Sequence, residues 1–148
     1  MKDNVLDELD KAILILLAAN AKMPVKQIAE KVFASAPTVN ARIMELSKSG
    51  IIKGYRAEID TTRLGDSIKC YINIEVDTSL REPIYEFLKN SKNVISCDRV
   101  TGEYSFVVQA IFENMHEMDS FVNEAQRFGK TKTQIVFSTI ISPRNVIV

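Results

Sequence analysis

The sequence predicts an α+β protein with two domains: an N-terminal winged-type helix-turn-helix over residues 1–60 and a C-terminal ferredoxin-like βαββαβ domain over residues 61–148. Three observations lead to this fold class. Apolar residues recur at helical spacing through the first sixty positions, and the spacing changes to two near residue 68. The second half then alternates strand-like and helix-like segments in the order β-α-β-β-α-β.

Three short helices are predicted in the first domain. The first has one apolar face, formed by Leu6, Leu9, Ile13, Leu16 and Leu17. Asp7 can cap this helix, Pro24 can open the second, and Ser35 can cap the third. Gly50 is placed to end the third helix, and residues 51–59 are predicted as a strand that leads out of the domain.

The second domain is predicted to follow a connection at residues 60–66. Its first strand shows a clean alternation, with Ile68, Cys70, Ile72, Ile74 and Val76 on one face. The other predicted elements are a helix over 80–88, strands over 94–100 and 104–112, a helix over 115–125 and a strand over 133–141.

Two of these strands carry more apolar surface than a single domain needs. Residues 106–112 and 135–141 are apolar on both faces. Helices can cover one face of the sheet, and a second copy of the chain would cover the other. The sequence therefore predicts a homodimer rather than a monomer.

The composition is typical of a folded protein that is neither disordered nor embedded in a membrane. Of 148 residues, 46% are hydrophobic and 26% are charged. The longest apolar run falls short of the roughly 18 residues that a membrane span requires. The first ten residues are too acidic for a secretion signal, so a cytoplasmic location is expected. Cys70 and Cys97 are interpreted as reduced thiols.

The charge is zero overall but strongly positive in one stretch. Between residues 22 and 56 the cations are Lys22, Lys26, Lys31, Arg42, Lys48, Lys53 and Arg56. Glu30 and Glu45 are the only anions there, which leaves a net charge of +5. Such a local basic region suits a surface that binds DNA, and a solvated helical face is the alternative. Arg42 has two interpretations, since it can reach a phosphate or pair with Glu45 or an acid of the first helix.

The second and third helices have the spacing of a helix-turn-helix, in which the first turns of the third helix face base edges in the major groove. The residues predicted at that end are Ala36, Pro37, Thr38, Asn40 and Ala41. Asparagine can pair with adenine through two bonds, and threonine or alanine can contact a thymine methyl group. Lys26, Gln27, Ser35 and Lys48 are placed to bond phosphates. Double-stranded DNA is therefore the predicted partner. The protein is expected to be associated with the nucleoid.

Several stretches resemble the Lrp/AsnC (feast/famine) family of transcription regulators. They are LDELDKAILILL and VKQIAEKVFASAPTVNARIMELSKSGIIKGYRAEID, followed by VTGEYSFVVQAIF and TKTQIVFSTII. The matching positions in the first part are Leu6, Asp7, Asp10, Ile13, Leu14, Ser35, Val39, Arg42, Leu46, Gly50, Ile52, Gly54 and Tyr55. The resemblance implies a helix-turn-helix, a strand hinge and a βαββαβ effector domain. It also implies dimers that assemble into octamers and bend or wrap DNA.

The family resemblance further implies a small amino acid effector near a glycine-containing turn. That turn corresponds here to Thr101, Gly102, Glu103, Tyr104 and Ser105. The family usually has an aspartate at the position of Ser105, where it would hold the ammonium group of the effector. Ser105 and the backbone of the turn can still bind polar groups, and Glu103 can supply the missing charge. A regulator that needs no effector is the alternative.

Catalysis finds little support in the sequence, and no cofactor is expected. His116 stands at the start of a predicted helix without a second histidine or a cysteine nearby. Some proteins that resemble this family are sirohaem decarboxylases with the same architecture, which would need histidines and a basic pocket. A third interpretation is an interaction module whose helix-turn-helix no longer contacts DNA, and the basic stretch argues against it. The sequence thus favours a regulator over an enzyme.

Overall fold

The computed structural model describes residues 6–60, 63, 65 and 67–143. These residues form two compact units. The first takes in the described residues up to Glu58 and from Ile141 onward, and the second is Ile59–Ile140. Each unit is built around its own apolar core.

The first unit contains three helices: α1 at Glu8–Ala19, α2 at Val25–Lys31 and α3 at Ala36–Lys48. Its buried core residues are Ile13, Ile28, Ala29, Val39 and Leu46. All three helices contribute to this core, and the other apolar residues of the predicted α1 face pack around it half-buried. Packing of these faces is the main source of stability for helices of only 7 to 13 residues.

The predicted helix ends are confirmed. Asp7 and Asp10 form a capping box, in which the Asp10 N–H donates to Asp7 Oδ1 at 2.8 Å and the Asp7 N–H donates to Asp10 Oδ2 at 3.3 Å. Pro24 and Ser35 occupy the N-cap positions of α2 and α3. Gly50 follows α3 with φ 79°, the left-handed conformation that ends many helices.

Residues 51–59 do not form a strand, which corrects the prediction. The Ile52 N–H donates to the carbonyl oxygen of Leu46 at 3.0 Å and so completes the end of α3. Among described residues, 53–59 make no backbone hydrogen bond to another segment. An extended segment needs a neighbouring strand to satisfy its N–H and C=O groups, and the described residues of this unit offer none. The predicted connection lies partly outside the described residues, at 61, 62, 64 and 66.

The second unit has the predicted ferredoxin-like order. Its elements are β1 at Ile68–Val76, α4 at Arg81–Asn90, β2 at Val94–Arg99, β3 at Phe106–Phe112, α5 at Met115–Ala125 and β4 at Gly129–Ile135. The four strands form one antiparallel sheet in the order β2-β3-β1-β4. A short 3₁₀ turn at Thr78–Leu80 leads from β1 into α4.

One face of this sheet packs against α4 and α5. The buried residues are Cys70, Ile72, Ile74, Val76, Ile84, Leu88, Phe106, Val108, Ala110, Phe112, Met118, Phe121 and Ala125. The alternation predicted for β1 is confirmed, and β3 buries every second residue in the same way. Within the described ranges, no helix is both long enough and apolar enough to cross a membrane.

The last strand lies four to six residues earlier than predicted. β4 pairs with β1 from Val76↔Gly129 to Cys70↔Ile135, so its polar sequence GKTKTQI is fixed by a partner strand rather than by its own pattern. Beyond Ile135 the chain soon passes the start of β1 and loses that partner. Phe137 and Ile140 are consequently exposed, at 103% and 88%. The prediction that a second copy covers apolar surface remains a prediction.

Phe33 stands in a conformation that disfavours its side chain. It lies between α2 and α3 with φ 54°, where an L side chain crowds the backbone, and the residue is 97% exposed. We expect Phe33→Gly to raise the free energy of unfolding by about 0.5–1 kcal/mol, since relief of strain exceeds the added freedom of the unfolded chain. Urea unfolding measures this change. Phe33→Ala keeps the strained φ and should stay near the parent; equal gains from both variants would contradict the explanation.

Candidate nucleic-acid interface

The N-terminal end of α3 is held in place by its cap. Ser35 Oγ accepts the Thr38 N–H at 3.2 Å and lies 2.7 Å from the Thr38 hydroxyl oxygen. Pro37 occupies the first turn, where its missing N–H leaves no bond unmade. The end of the helix that would enter a DNA groove is thus fixed by local bonds within the chain.

The predicted base-reading residues lie on the exposed side of α3. Val39 and Leu46 are buried, whereas Pro37, Thr38, Asn40 and Ala41 are exposed and Ala36 is half-buried. The Asn40 amide makes only a weak contact, from Nδ2 to the sulfur of Met44 at 3.9 Å. Its oxygen and nitrogen therefore remain available for a base edge.

Met44 belongs to the same exposed side and was absent from the predicted set. The residue is 65% exposed, although methionine is usually a core residue. Pro37, Ala41 and Met44 are spaced four and then three residues apart, opposite the buried pair Val39 and Leu46. This spacing was readable from the sequence and would have placed Met44 on the outward face.

The predicted phosphate contacts are exposed cations and polar groups. Lys26 and Gln27 lie in the first turn of α2, and Lys48 lies in the last turn of α3. None of the three forms an ion pair or side-chain hydrogen bond with another described residue. The remaining cations of the basic stretch, Lys22, Lys31, Lys53 and Arg56, are exposed as well.

Arg42 pairs with acids at the start of α1, which is the second of the two roles predicted for it. Its Nη1 lies 2.9 Å from Asp7 Oδ2 and 3.3 Å from both Asp10 oxygens. Asp10 is 8% exposed and is the one charged residue among the described residues that is buried. Glu45, the other predicted partner, is not involved. The guanidinium joins α3 to α1 and is not free on the outward face.

The same cluster lowers the pKa of one carboxyl group, that of Asp7. The pKa of Asp7 lies below its ordinary value, chiefly because its side chain accepts the Asp10 N–H. Partial burial opposes this effect, and the positive charge of Arg42 reinforces it. The carboxylate form of Asp7 is therefore stabilised by folding.

The predicted effector turn lies at one end of the sheet. Thr101, Gly102 and Glu103 are exposed, and Gly102 has φ 115°, which a glycine adopts without strain. Tyr104 and Ser105 are half-buried. The Ser105 hydroxyl donates to the Val76 carbonyl oxygen and accepts the Val76 N–H, each at 3.3 Å, so it fastens the turn to β1.

The cysteines and the histidine show no arrangement for catalysis in the part of the chain that the structure describes. Cys70 and Cys97 are free thiols, and burial raises the pKa of Cys70 to about 11. His116 is exposed on α5, whose N-cap is Asn114. No group of three or more His, Cys, Asp or Glu side chains is placed to hold a metal ion among these residues.

A capped helix with an exposed outer face, preceded by a short helix and joined to a ferredoxin-like unit, defines a two-domain DNA-binding regulator. Comparison with known protein families agrees with this assignment. Residues 6–53 match the winged helix-turn-helix DNA-binding family, and residues 69–146 match the Lrp/AsnC ligand-binding domain. The chain belongs to the Lrp/AsnC family of transcription regulators.

Individual relatives cover nearly the full length. The HTH-type transcriptional regulator LrpA of Bacillus subtilis is 32% identical over 133 residues, which are 89% of this chain and 98% of LrpA. The solved structure of B. subtilis LrpC is 25% identical with a TM-score of 0.85, covering 93% of this chain and 99% of LrpC. A Neisseria meningitidis regulator solved with L-methionine shares the fold, at 24% identity, a TM-score of 0.85 and 93% coverage of both chains.

These matches confirm the predicted fold class and the predicted role in transcription. They give no support to the sirohaem decarboxylase alternative or to an interaction module without DNA. The exact contacts of the site residues stay predictions.

Proposed function

We propose that this regulator reads double-stranded DNA with the exposed side of α3 and that residues 1–60 carry this role. The observation that supports it most is the combination of a capped α3, an exposed Asn40, and the exposed Lys26 and Lys48, which form no ion pair with another described residue. Asn40 and Thr38 would contact bases, together with Ala36, Pro37 and Ala41. Lys26, Gln27, Ser35 and Lys48 would bind phosphates and fix the register.

Arg42 has a different role in this proposal. Its guanidinium is occupied by Asp7 and Asp10, so we assign it to the orientation of α3 on α1 rather than to a phosphate. The residue next to it, Ala41, is exposed and stays within the proposed base-reading set.

Two substitutions separate base contact from phosphate contact. Asn40→Ala should lower affinity for a specific site by about 1–3 kcal/mol and leave binding to a scrambled duplex unchanged. Lys26→Ala should weaken binding to both duplexes and reduce the slope of affinity against salt by about one. Fluorescence anisotropy at several salt concentrations measures both effects.

The matched controls come from the second unit. Asn90 and Lys89 are exposed residues of α4, so Asn90→Ala and Lys89→Ala test loss of the same groups away from α3. Both should bind like the parent. If Asn40→Ala and Lys26→Ala also bind like the parent, the proposed face is wrong.

We propose a small amino acid as effector of residues 61–148, bound at the turn Thr101–Ser105. The N. meningitidis regulator solved with L-methionine supports this ligand class. The Ser105 hydroxyl is already bonded to Val76, which leaves the exposed Glu103 carboxylate as the group of the turn that can meet an ammonium. Effector binding would shift the assembly state only if the two assemblies differ in affinity for it.

Calorimetric titration with L-methionine and other amino acids tests this site. Glu103→Gln should weaken binding by about tenfold, because a charge-assisted hydrogen bond is lost. Glu82→Gln, at an exposed glutamate of α4, is the control and should have no effect. Absence of binding by every amino acid would favour the regulator that needs no effector.

Assembly and location complete the proposal. We infer a homodimer that associates further into an octamer, supported by exposed apolar residues such as Ile135 and Phe137. The protein would act in the cytoplasm on the nucleoid, without a cofactor and without enzymatic activity. Sedimentation measurements with and without DNA test the assembly state.

A further inference from the structure

The outward face of α3 offers thymine a surface that it does not offer guanine. Directly opposite the buried Val39 and Leu46 lie Pro37, Ala41 and Met44, and all three are exposed. Proline and alanine side chains have no hydrogen-bonding group, and the methionine sulfur is only a weak acceptor. Pro37, Ala41 and Met44 therefore form an apolar stripe along α3, on the side that would face the base edges.

The residues that recognise guanine are unavailable on this helix. Guanine is read most often by arginine or lysine through its O6 and N7 atoms. α3 contains one of each, Arg42 and Lys48. Arg42 is held by Asp7 and Asp10 at 2.9 and 3.3 Å, and Lys48 lies in the last turn, away from the end that reads bases.

We propose that α3 selects A·T base pairs, with the stripe of Pro37, Ala41 and Met44 packed against thymine methyl groups and Asn40 bonded to adenine. The inference rests on the proposed function. Thymine is the only base that presents an apolar group in the major groove, and asparagine matches the N6 and N7 atoms of adenine. The apolar stripe and the amide next to it thus recognise the two partners of one base pair.

The expected size of the effect follows from the area of one methyl group. Removal of a buried methyl group changes an equilibrium constant about fourfold. Loss of two contacts in one half-site should lower affinity by about fifteenfold if the contacts act independently. A change of this size is readily measured by titration.

The first experiment selects binding sites from random duplexes with the full-length protein. Deoxyuridine is then placed, one position at a time, at the thymines of the selected half-site, which removes only the 5-methyl group. We expect A·T pairs at the centre of each half-site and about a fourfold loss of affinity at one or more thymines. Guanine at these positions, or full affinity for every deoxyuridine duplex, would overturn the proposal.

A variant identifies the side chain that contacts the methyl group. Met44→Ala should lose affinity for the thymine duplex and lose sensitivity to deoxyuridine at one position. Met115→Ala removes a methionine of similar exposure, 55% against 65%, from the second unit and should keep the full sensitivity. Unfolding curves of both variants establish that they are folded. If Met44→Ala keeps the parent's sensitivity at every thymine, Met44 does not read the methyl group and the stripe is not the reader.

The same data distinguish failure of this inference from failure of the proposed function. Tight, salt-sensitive binding to a selected guanine-centred site would overturn thymine reading and leave the DNA-binding role intact. Absence of binding to any duplex at low salt would overturn the DNA-binding role, and thymine reading with it.

Discussion

Replacing Gly129 with alanine should lower the free energy of unfolding by about 3 kcal/mol or more. An added Cβ would lie against the carbonyl oxygen of Glu75, far inside contact distance. The obstacle is backbone, and β1–β4 pairing at Val76↔Gly129 and Glu75↔Lys130 prevents it from moving aside. Gly129 also has φ 158°, at the edge of the region that favours glycine. The end of the β1–β4 ladder would have to separate.

Gly102→Ala provides the matched control. Gly102 has φ 115°, yet an added Cβ would meet no atom within 4 Å. The control should therefore lower the free energy of unfolding only by the cost of an unfavourable φ for alanine, about 1 kcal/mol or somewhat more. Urea unfolding of the full-length chain, followed by circular dichroism, compares the two. Equal losses would show that the close approach of β4 to β1 is not the cause.

Arg42→Met should destabilise the first unit by about 2 kcal/mol. The substitution leaves the Asp10 carboxylate, whose side chain is 11% exposed, without its cation and beside the second acid Asp7. Loss of one partner from a fully buried pair costs about 3–5 kcal/mol. We expect less here because the Arg42 side chain is 36% exposed and water can partly replace it. Methionine keeps most of the aliphatic packing of the arginine.

The control is an ion pair of similar length at the surface. Lys11 and Glu8 lie 3.0 Å apart with side chains 41% and 92% exposed, so Lys11→Met should change stability by no more than about 0.5 kcal/mol. Adding Asp10→Asn to Arg42→Met should recover part of the loss, since a neutral amide needs no cation. No recovery in the double variant would contradict the electrostatic explanation.

The loss caused by Arg42→Met should also depend on pH. Folding lowers the pKa of Asp7, so the stability that Asp7 contributes is present above its unfolded pKa and disappears as pH falls through the folded pKa. A protonated Asp7 carboxyl group no longer has a charge that attracts the guanidinium. The difference in free energy of unfolding between parent and variant should therefore become smaller as pH falls below the pKa of Asp7. A difference that stays constant with pH would show that packing dominates.

Local chemistry made much of the first unit predictable. The caps at Asp7 and Ser35 and the stop at Gly50 each depend on a few neighbouring residues, and a sequence displays these directly. The alternation in β1 was equally visible, since one face of the strand is buried and the other is not. Both features are local, so the sequence alone was sufficient.

The features that escaped prediction depend on residues far away in the chain. β4 is polar and is a strand because β1 lies beside it, whereas residues 137–141 make no backbone hydrogen bond to another described residue. The sequence allowed several partners for Arg42, and only the packing of α1 against α3 determines which of them it contacts. The strain at Phe33 gives no signal in spacing or composition, because it arises from the turn that joins two packed helices.

The central claim is that the first unit binds double-stranded DNA in a sequence-specific way, and a gel-shift titration tests it most directly. The probe is DNA from upstream of the protein's own gene, compared with a scrambled duplex of equal length at two salt concentrations. We expect binding that favours the native duplex and weakens steeply as salt rises, since phosphate contacts release counterions. Equal binding to both duplexes, or no binding at low salt, would contradict the claim.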